Sequence, residues 1–336
     1  MYSKRYILSH VVSYIKHITI SSLFVFFVVN YNFCLENRLQ EKLHQYSNVT
    51  LMGQFNNFSF NITTWIDAWS SVINRNNIIV AAPCPYPERC IADNIRPYPS
   101  ITPSKYKFYL FDRGYHSPYI NIASVIRDTE NIRGLLYIHD DLLLHPYILE
   151  KIGGHEWVVS NFDKELISFY ENSTIETNRN KTMLYKWLHW NDCRKSFAKI
   201  FYDGRLKPYM HRSKNNDLYV NVATGQSDML YAAFPSFEQK HSFLSLLELF
   251  TEYDLWLECA IPTAVTMMQE RYGIKVHNTP LCTHWGDLRK IGRTKEMFEQ
   301  CEKEMLLKGI EKYGTYHPIK LGWNNDWIYY FDYVKT

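Results

Sequence analysis

Apolar and polar positions alternate along this chain in short runs, and the sharpest boundary falls in Gly134-Leu135-Leu136-Tyr137-Ile138-His139-Asp140-Asp141. An apolar run after a glycine, stopped at once by an imidazole and two carboxylates, reads as a buried strand whose C-terminal end opens into a cleft. Ile78-Ile79-Val80-Ala81-Ala82, ended by Pro83, reads as the first core strand, and Lys107–Phe111 as a second. Trp65, Trp69, Val72 and Ile73 recur at helical spacing and predict a helix over 61–73. Another is predicted over 119–129, with Pro118 near its first turn and Ile122, Val125 and Ile126 facing inward. Strand, strand, helix, strand in this order predicts an α/β sandwich with a mainly parallel sheet.

The rest of the pattern is less regular. Prolines crowd 83–103, which reads as a constrained loop, and 151–180 reads as mixed and loop-rich. A strand is expected over 217–222, and a turn over 225–231 that feeds another. Phe243, Leu244, Leu247 and Phe250 mark one face of a helix over 237–250. A further helix is expected over 262–271, with Pro262 at its start and Gly273 just past its end. Trp187 and Trp190 suit either core packing or stacking on a sugar ring.

Composition changes the picture at the N-terminus. The chain has 336 residues, 46% hydrophobic and 21% charged, enough to bury a sizeable core in one large domain or two small ones. A net charge of +3 with mixed signs gives no reason to expect a nucleic-acid surface. Residues 18–33 carry no charge, with Lys4, Arg5, Lys16 and His17 before them and Glu36 beyond. This pattern predicts an uncleaved signal-anchor with a cytoplasmic N-terminus. A cleaved signal peptide is the alternative, although no small-x-small site follows Val29. The expected organisation is a tail over 1–17, a membrane span over 18–33, a polar stem over 34–60 and a lumenal α/β domain over 61–336. Glycosylation acceptors at Asn48, Asn57, Asn61, Asn172 and Asn180 agree with passage through the secretory pathway. Beyond Cys34, the cysteines Cys84, Cys90, Cys193, Cys259, Cys282 and Cys301 form an even set that suits disulfides. Cys84 with Cys90 closes the easiest loop, and the pairing stays open. Zinc is disfavoured, since no C-x-x-C pair or matched histidine spacing occurs.

Adjacent carboxylates just past a strand suit Mg²⁺ or Mn²⁺, whose oxygen ligands leave room for substrate phosphates. Asp140 and Asp141 could equally cap the next short helix. Anchor, stem with acceptor sites, α/β domain and a strand ending in His139-Asp140-Asp141 together resemble the type II membrane glycosyltransferases of the GT-A fold. The likeness rests chiefly on 78–144, and His139 stands where the acidic "DxD" motif of that class begins with an acid. It implies a Golgi or ER enzyme that binds Mn²⁺ or Mg²⁺ and moves a sugar from a nucleotide sugar to a glycan or glycoprotein acceptor.

The same resemblance assigns expected roles. Asp141 becomes the direct metal ligand, with His139 beside it and Asp140 on the sugar or ribose side. Asp112 and Arg113 fall where base and ribose would sit, with an ordinary surface turn as the alternative, and Asn121 would face the nucleotide. Glu258, an acid in apolar surroundings just before a predicted helix, is the expected base, and Asp228 the second choice as base or acceptor binder. A late histidine that closes the metal shell could be His317 or His284; Lys320 near the former could meet a diphosphate. Two other readings remain: a non-catalytic, membrane-anchored glycan-binding protein, and a metal phosphohydrolase built on His139-Asp140. The second is disfavoured because such pairs lie on helices amid further His and Asp ligands, whereas this one ends a predicted strand and has no such cluster.

Overall fold

The computed structural model describes residues 46, 48–55, 61–70, 72–83, 107–111, 117–144, 146–149, 151–160, 167–170, 190–225, 227–283, 299–304, 307 and 314–317. The fold below is that of the unit spanning 48–336. In chain order its elements are β1 (Val49–Gln54), α1 (Asn61–Trp69), β2 (Ile78–Pro83), β3 (Lys107–Phe111), α2 (Ser117–Asp128), β4 (Gly134–His139), β5 (Leu143–Leu144) and α3 (Pro146–Leu149). There follow β6 (Trp157–Ser160), β7 (Ile167–Tyr170), α4 (Trp190–Ile200), β8 (His211–Arg212), β9 (Leu218–Val222) and β10 (Met229–Ala233). The last are α5 (Phe237–Glu252), α6 (Leu257–Tyr272), β11 (Val276–Thr279), β12 (Leu281–Thr283) and β13 (Thr315–His317).

A seven-stranded sheet in the order β11-β6-β10-β4-β1-β2-β3 forms the centre. Every neighbouring pair is parallel except those of β10, which runs antiparallel to both β4 and β6. The mainly parallel sheet flanked by helices agrees with the expectation from sequence. Both β1 and β4 are buried along their whole length, as strands covered on both faces must be. Helices α2, α5 and α6 pack against one another. Small sheets of order β12-β13-β5 and β7-β9-β8 complete the strands described.

The central strand β1 corrects the domain boundary, because it lies inside 34–60, the stretch expected as stem. Its sequence, Val-Thr-Leu-Met-Gly-Gln, mixes Thr, Gly and Gln into a short apolar run and so hides a strand that is fully buried. Gly53 lets the ring of Trp65 on α1 pack against it; a Cβ there would lie 2.5 Å from Trp65 Cη2. Two further corrections concern extent. The loop-rich stretch 151–180 contains β6, whose four residues are all buried, and β7.

Helix α6 begins at Leu257, so Pro262 lies inside it and not at its start. Proline has no N–H to donate to the carbonyl four residues back, that of Glu258. The N–H of Gly225 donates to that carbonyl instead, at 3.0 Å, so the helix keeps its proline without a stranded acceptor. The expected stop holds: Gly273 closes α6 in the left-handed conformation at φ 64°.

Two disulfides lie among the described residues, Cys193–Cys259 joining α4 to α6, and Cys282–Cys301 joining β12 to a segment further along. Cys34, Cys84 and Cys90 lie outside those residues, as do the predicted span 18–33 and most of the loop 83–103. No helix among the described residues is long and apolar enough to cross a membrane.

Gly53→Ala drives a methyl group into the Trp65 ring in a close-packed layer. It should cost about 1–3 kcal/mol in chemical denaturation, as overpacking does, while an unchanged midpoint would contradict the packing described.

Candidate metal centre

Sheet register brings distant residues to one edge. β1 and β4 run parallel with Gln54 opposite His139, and the N–H of Asp140 donates to the Gln54 carbonyl at 2.8 Å. The turn after β4 is thereby tied to the end of β1. Because β10 is antiparallel, it starts where β4 stops: Met229 pairs with Ile138, and the N–H of His139 donates to the Asp228 carbonyl at 2.9 Å. β13 pairs with β5 as Tyr316 to Leu143 and Thr315 to Leu144. One step further along that antiparallel register, His317 falls opposite Leu142, next to Asp141.

The side chains meet around Asp141. Its Oδ1 lies 2.8 Å from His139 Nδ1 and 3.1 Å from His317 Nε2. His139 Nδ1 is also 3.3 Å from Asp140 Oδ1, and His317 Nε2 is 3.8 Å from Asp228 Oδ2. All but Asp140 and Asp228 are at least nine-tenths buried: Asp141 is 5% exposed, His317 3% and His139 9%. Asp228 Oδ2 is shielded from solvent and accepts no hydrogen bond among the described residues.

Adjacent ligands of an octahedral cation at about 2.1 Å stand about 3 Å apart. The separations around Asp141 are of that size, and candidate ligand atoms of His139, Asp140 and Asp141 all lie within 4.8 Å of one another. This buried group can hold a metal ion. Its mixture of imidazole and carboxylate suits Mn²⁺ as well as Mg²⁺.

Without a cation, protons take over the pairing. Burial alone would lower the His139 pKa, but the charge and hydrogen bond of Asp141, with the charges of Asp140 and Asp228, outweigh it and raise the imidazole to about 9. Burial pushes Asp141 up, yet the charge and hydrogen bond of His139 and those of His317 hold it well below the usual carboxylate range.

Sequence-predicted residues fall into distinct groups. The structure brings His139, Asp140, Asp141, Asp228 and His317 together. Asn121 is buried on α2 and donates through Nδ2 to Gln54 Oε1 at 3.1 Å, so it reaches the β1 end of the same edge. Glu258 sits within the first turn of α6 and not ahead of it. Its neighbour Leu257 accepts a hydrogen bond from Ser227 Oγ at 3.2 Å, which ties the helix start to the segment leading into Asp228. Asp112, Arg113, His284 and Lys320 lie outside the described residues.

His139 ends a strand as expected, but the cluster of further His and Asp side chains expected to be missing is present. His317 reaches Asp141 across 176 residues of sequence, a separation that no local motif reveals.

Two residues of the centre carry no signal in the sequence. Gln54 is 1% exposed and belongs to the strand that composition hides. Tyr137 shares a face of β4 with His139, is fully buried, and its hydroxyl has no hydrogen-bond partner among the described residues. Burial first, then the charges of Asp228, Asp141, Asp140 and Glu258, raise the Tyr137 phenol well above its ordinary value. Glu258 therefore acts electrostatically on the same buried volume as the three aspartates.

No family model matches the chain, and no curated protein matches it in sequence.

The metal-free centre has a defined pH window. A raised His139 pKa stabilises the fold fully below pH 6.5, and this contribution is lost as pH rises through about 9. A depressed Asp141 pKa stabilises above 3.8, and that contribution is lost as pH falls further. Stability contributed by the pair should therefore peak between those limits. Histidine NMR should find one imidazole titrating near pH 9, and Asp141→Asn should lower it by about one unit or more; a value near 6.5 in the native protein would contradict the pairing.

Proposed function

We propose that this protein is a metal-dependent glycosyltransferase of the secretory pathway, with a GT-A-like domain held at the Golgi or ER membrane by residues 18–33. Its donor is a nucleotide sugar and its acceptor a glycan or glycoprotein. The observation that carries the reading is the buried cluster of His139, Asp140, Asp141, Asp228 and His317 at the carboxyl end of parallel strands, where open α/β sheets place their ligands. Two disulfides and the acceptor sites for glycosylation, Asn48 among them and exposed, support an oxidising, lumenal setting.

In this reading Asp141, His139 and Asp140, with His317 and Asp228 beside them, would hold the cation. A bound Mn²⁺ or Mg²⁺ supplies Lewis-acid stabilisation of the charge that develops on a leaving diphosphate. Asn121, braced by Gln54, offers an amide toward the nucleotide side. Asp112, Arg113 and Lys320 are the further proposed contacts to base, ribose and diphosphate. If transfer inverts the anomeric centre, Glu258 accepts the proton of the acceptor hydroxyl, with Asp228 as the other carboxylate in reach of that role.

One observation favours a second reading. Two histidines and three aspartates in one buried cluster also suit a metal phosphohydrolase. A non-catalytic glycan binder would need neither cation nor nucleotide.

Incubating the protein with a panel of nucleotide sugars, with and without Mn²⁺, separates the three. The transferase reading expects Mn²⁺-dependent donor turnover, and a nucleoside diphosphate that raises Tm only when Mn²⁺ is present, since ligand at 100 times its Kd adds about 2.7 kcal/mol. Asp141→Asn, which keeps the side-chain volume and an acceptor oxygen, should lower turnover by about a hundredfold or more while the folded protein is still secreted. Cation-dependent cleavage of p-nitrophenyl phosphate without donor turnover would replace this reading by the hydrolase.

A further inference from the structure

We propose that the Cys282–Cys301 disulfide is a positioning element of the metal centre, holding His317 against Asp141. The proposal rests on the metal reading above. His317 does not belong to the seven-stranded sheet. It ends β13, a strand of three residues whose neighbours β12 and β5 have three and two. A sheet of such short strands has little stability of its own.

What anchors it can be traced bond by bond. β13 lies parallel to β12, with Cys282 opposite Tyr316 and Thr283 opposite His317. The N–H groups of Gly314 and Thr315 both donate to the carbonyl of Pro280, at 2.8 and 3.2 Å. Gly314 also packs its backbone against Thr279 and Ile148 with no room for a Cβ. His317 therefore goes where β12 goes.

β12 itself leaves the end of β11 after a single proline, Pro280, and its middle residue carries the disulfide. Both sulfur-bearing residues are inside the protein, Cys282 at 2% exposed and Cys301 at 0%. The bond thus fixes β12, which pairs with His317 directly, on the side of β13 opposite β5. Cys193–Cys259 joins α4 to α6, neither of which belongs to the small sheet, so it borders the centre at Glu258 and does not bear on His317. It serves as an internal control.

Calorimetric titration of Mn²⁺ into the full-length protein tests this. C282A/C301A should bind Mn²⁺ about tenfold or more weakly, the scale on which residues supporting a ligand act, with unchanged far-UV circular dichroism. C193A/C259A should bind within about threefold of wild type. H317A should weaken binding at least as much as C282A/C301A. In H317A/C282A/C301A the loss should stay within about threefold of H317A alone, because both changes remove one ligand; independent sites would instead show additive losses.

If C282A/C301A does not fold, C301A opens the same bond while the Cys282 sulfur stays packed, and the same titration applies. Additive losses, an unaffected C282A/C301A, or equal weakening in C193A/C259A would overturn the proposal while wild type still binds Mn²⁺. A wild type that takes up no Mn²⁺ overturns the metal reading and this proposal with it.

Discussion

One buried carboxylate sets the terms for this structure. Asp141 is almost wholly removed from water, and an uncompensated carboxylate there would cost several kcal/mol. His139 and His317 meet the same oxygen from opposite directions in the chain, one two residues away and the other at the end of β13. The turn after β4, the short β5 and the pairing of β13 all follow from the need to bring that second imidazole in. Buried ion pairs of this kind rarely add much net stability, but breaking one strands a charge. Such a pair resists removal of either partner and yields readily to a cation, which satisfies the same atoms.

The direction of β10 matters almost as much. Had the sheet been parallel throughout, the residue before β10 would lie at the far edge, remote from His139. Because β10 is reversed, Asp228 enters at the carboxyl end of β4 and adds a third aspartate to the volume that Tyr137 also occupies. The start of α6 is drawn to the same place. Pro262 frees the Glu258 carbonyl for Gly225, and Ser227 holds Leu257, so helix and loop are locked just before Asp228 by groups that carry no charge. Positioning by neutral bonds leaves the carboxylates to act on one another and on what they bind.

Much of the frame can be read from periodicity alone. The strands at Ile78–Pro83, Lys107–Phe111, Gly134–His139 and Leu218–Val222 and the helix Phe237–Glu252 are apolar runs or faces of ordinary length, bounded by turn residues. β1 cannot be read that way, since Thr, Gly and Gln dilute its pattern and its burial comes from being covered by neighbours far along the chain. α6 misleads for a local reason: proline is most common in a first turn, and here a bond from Gly225 lets it sit deeper. The candidate site itself stands out at His139-Asp140-Asp141, where apolar sequence gives way to charge. Its other half does not. His317 is one histidine among thirteen, distinguished in sequence only by Lys320 nearby, and its partnership with Asp141 depends on the register between two very short strands.

The separation of 176 positions between Asp141 and His317 bears on how the molecule is made as well as how it works. At the usual pace of about 5–20 residues per second, a ribosome needs roughly 9–35 s to travel from one to the other. Throughout that interval the nascent strand offers Asp141 only its near neighbour His139. A cation held by the full set would therefore be captured only after His317 has been made, when the strands of the parallel core are already available to assemble.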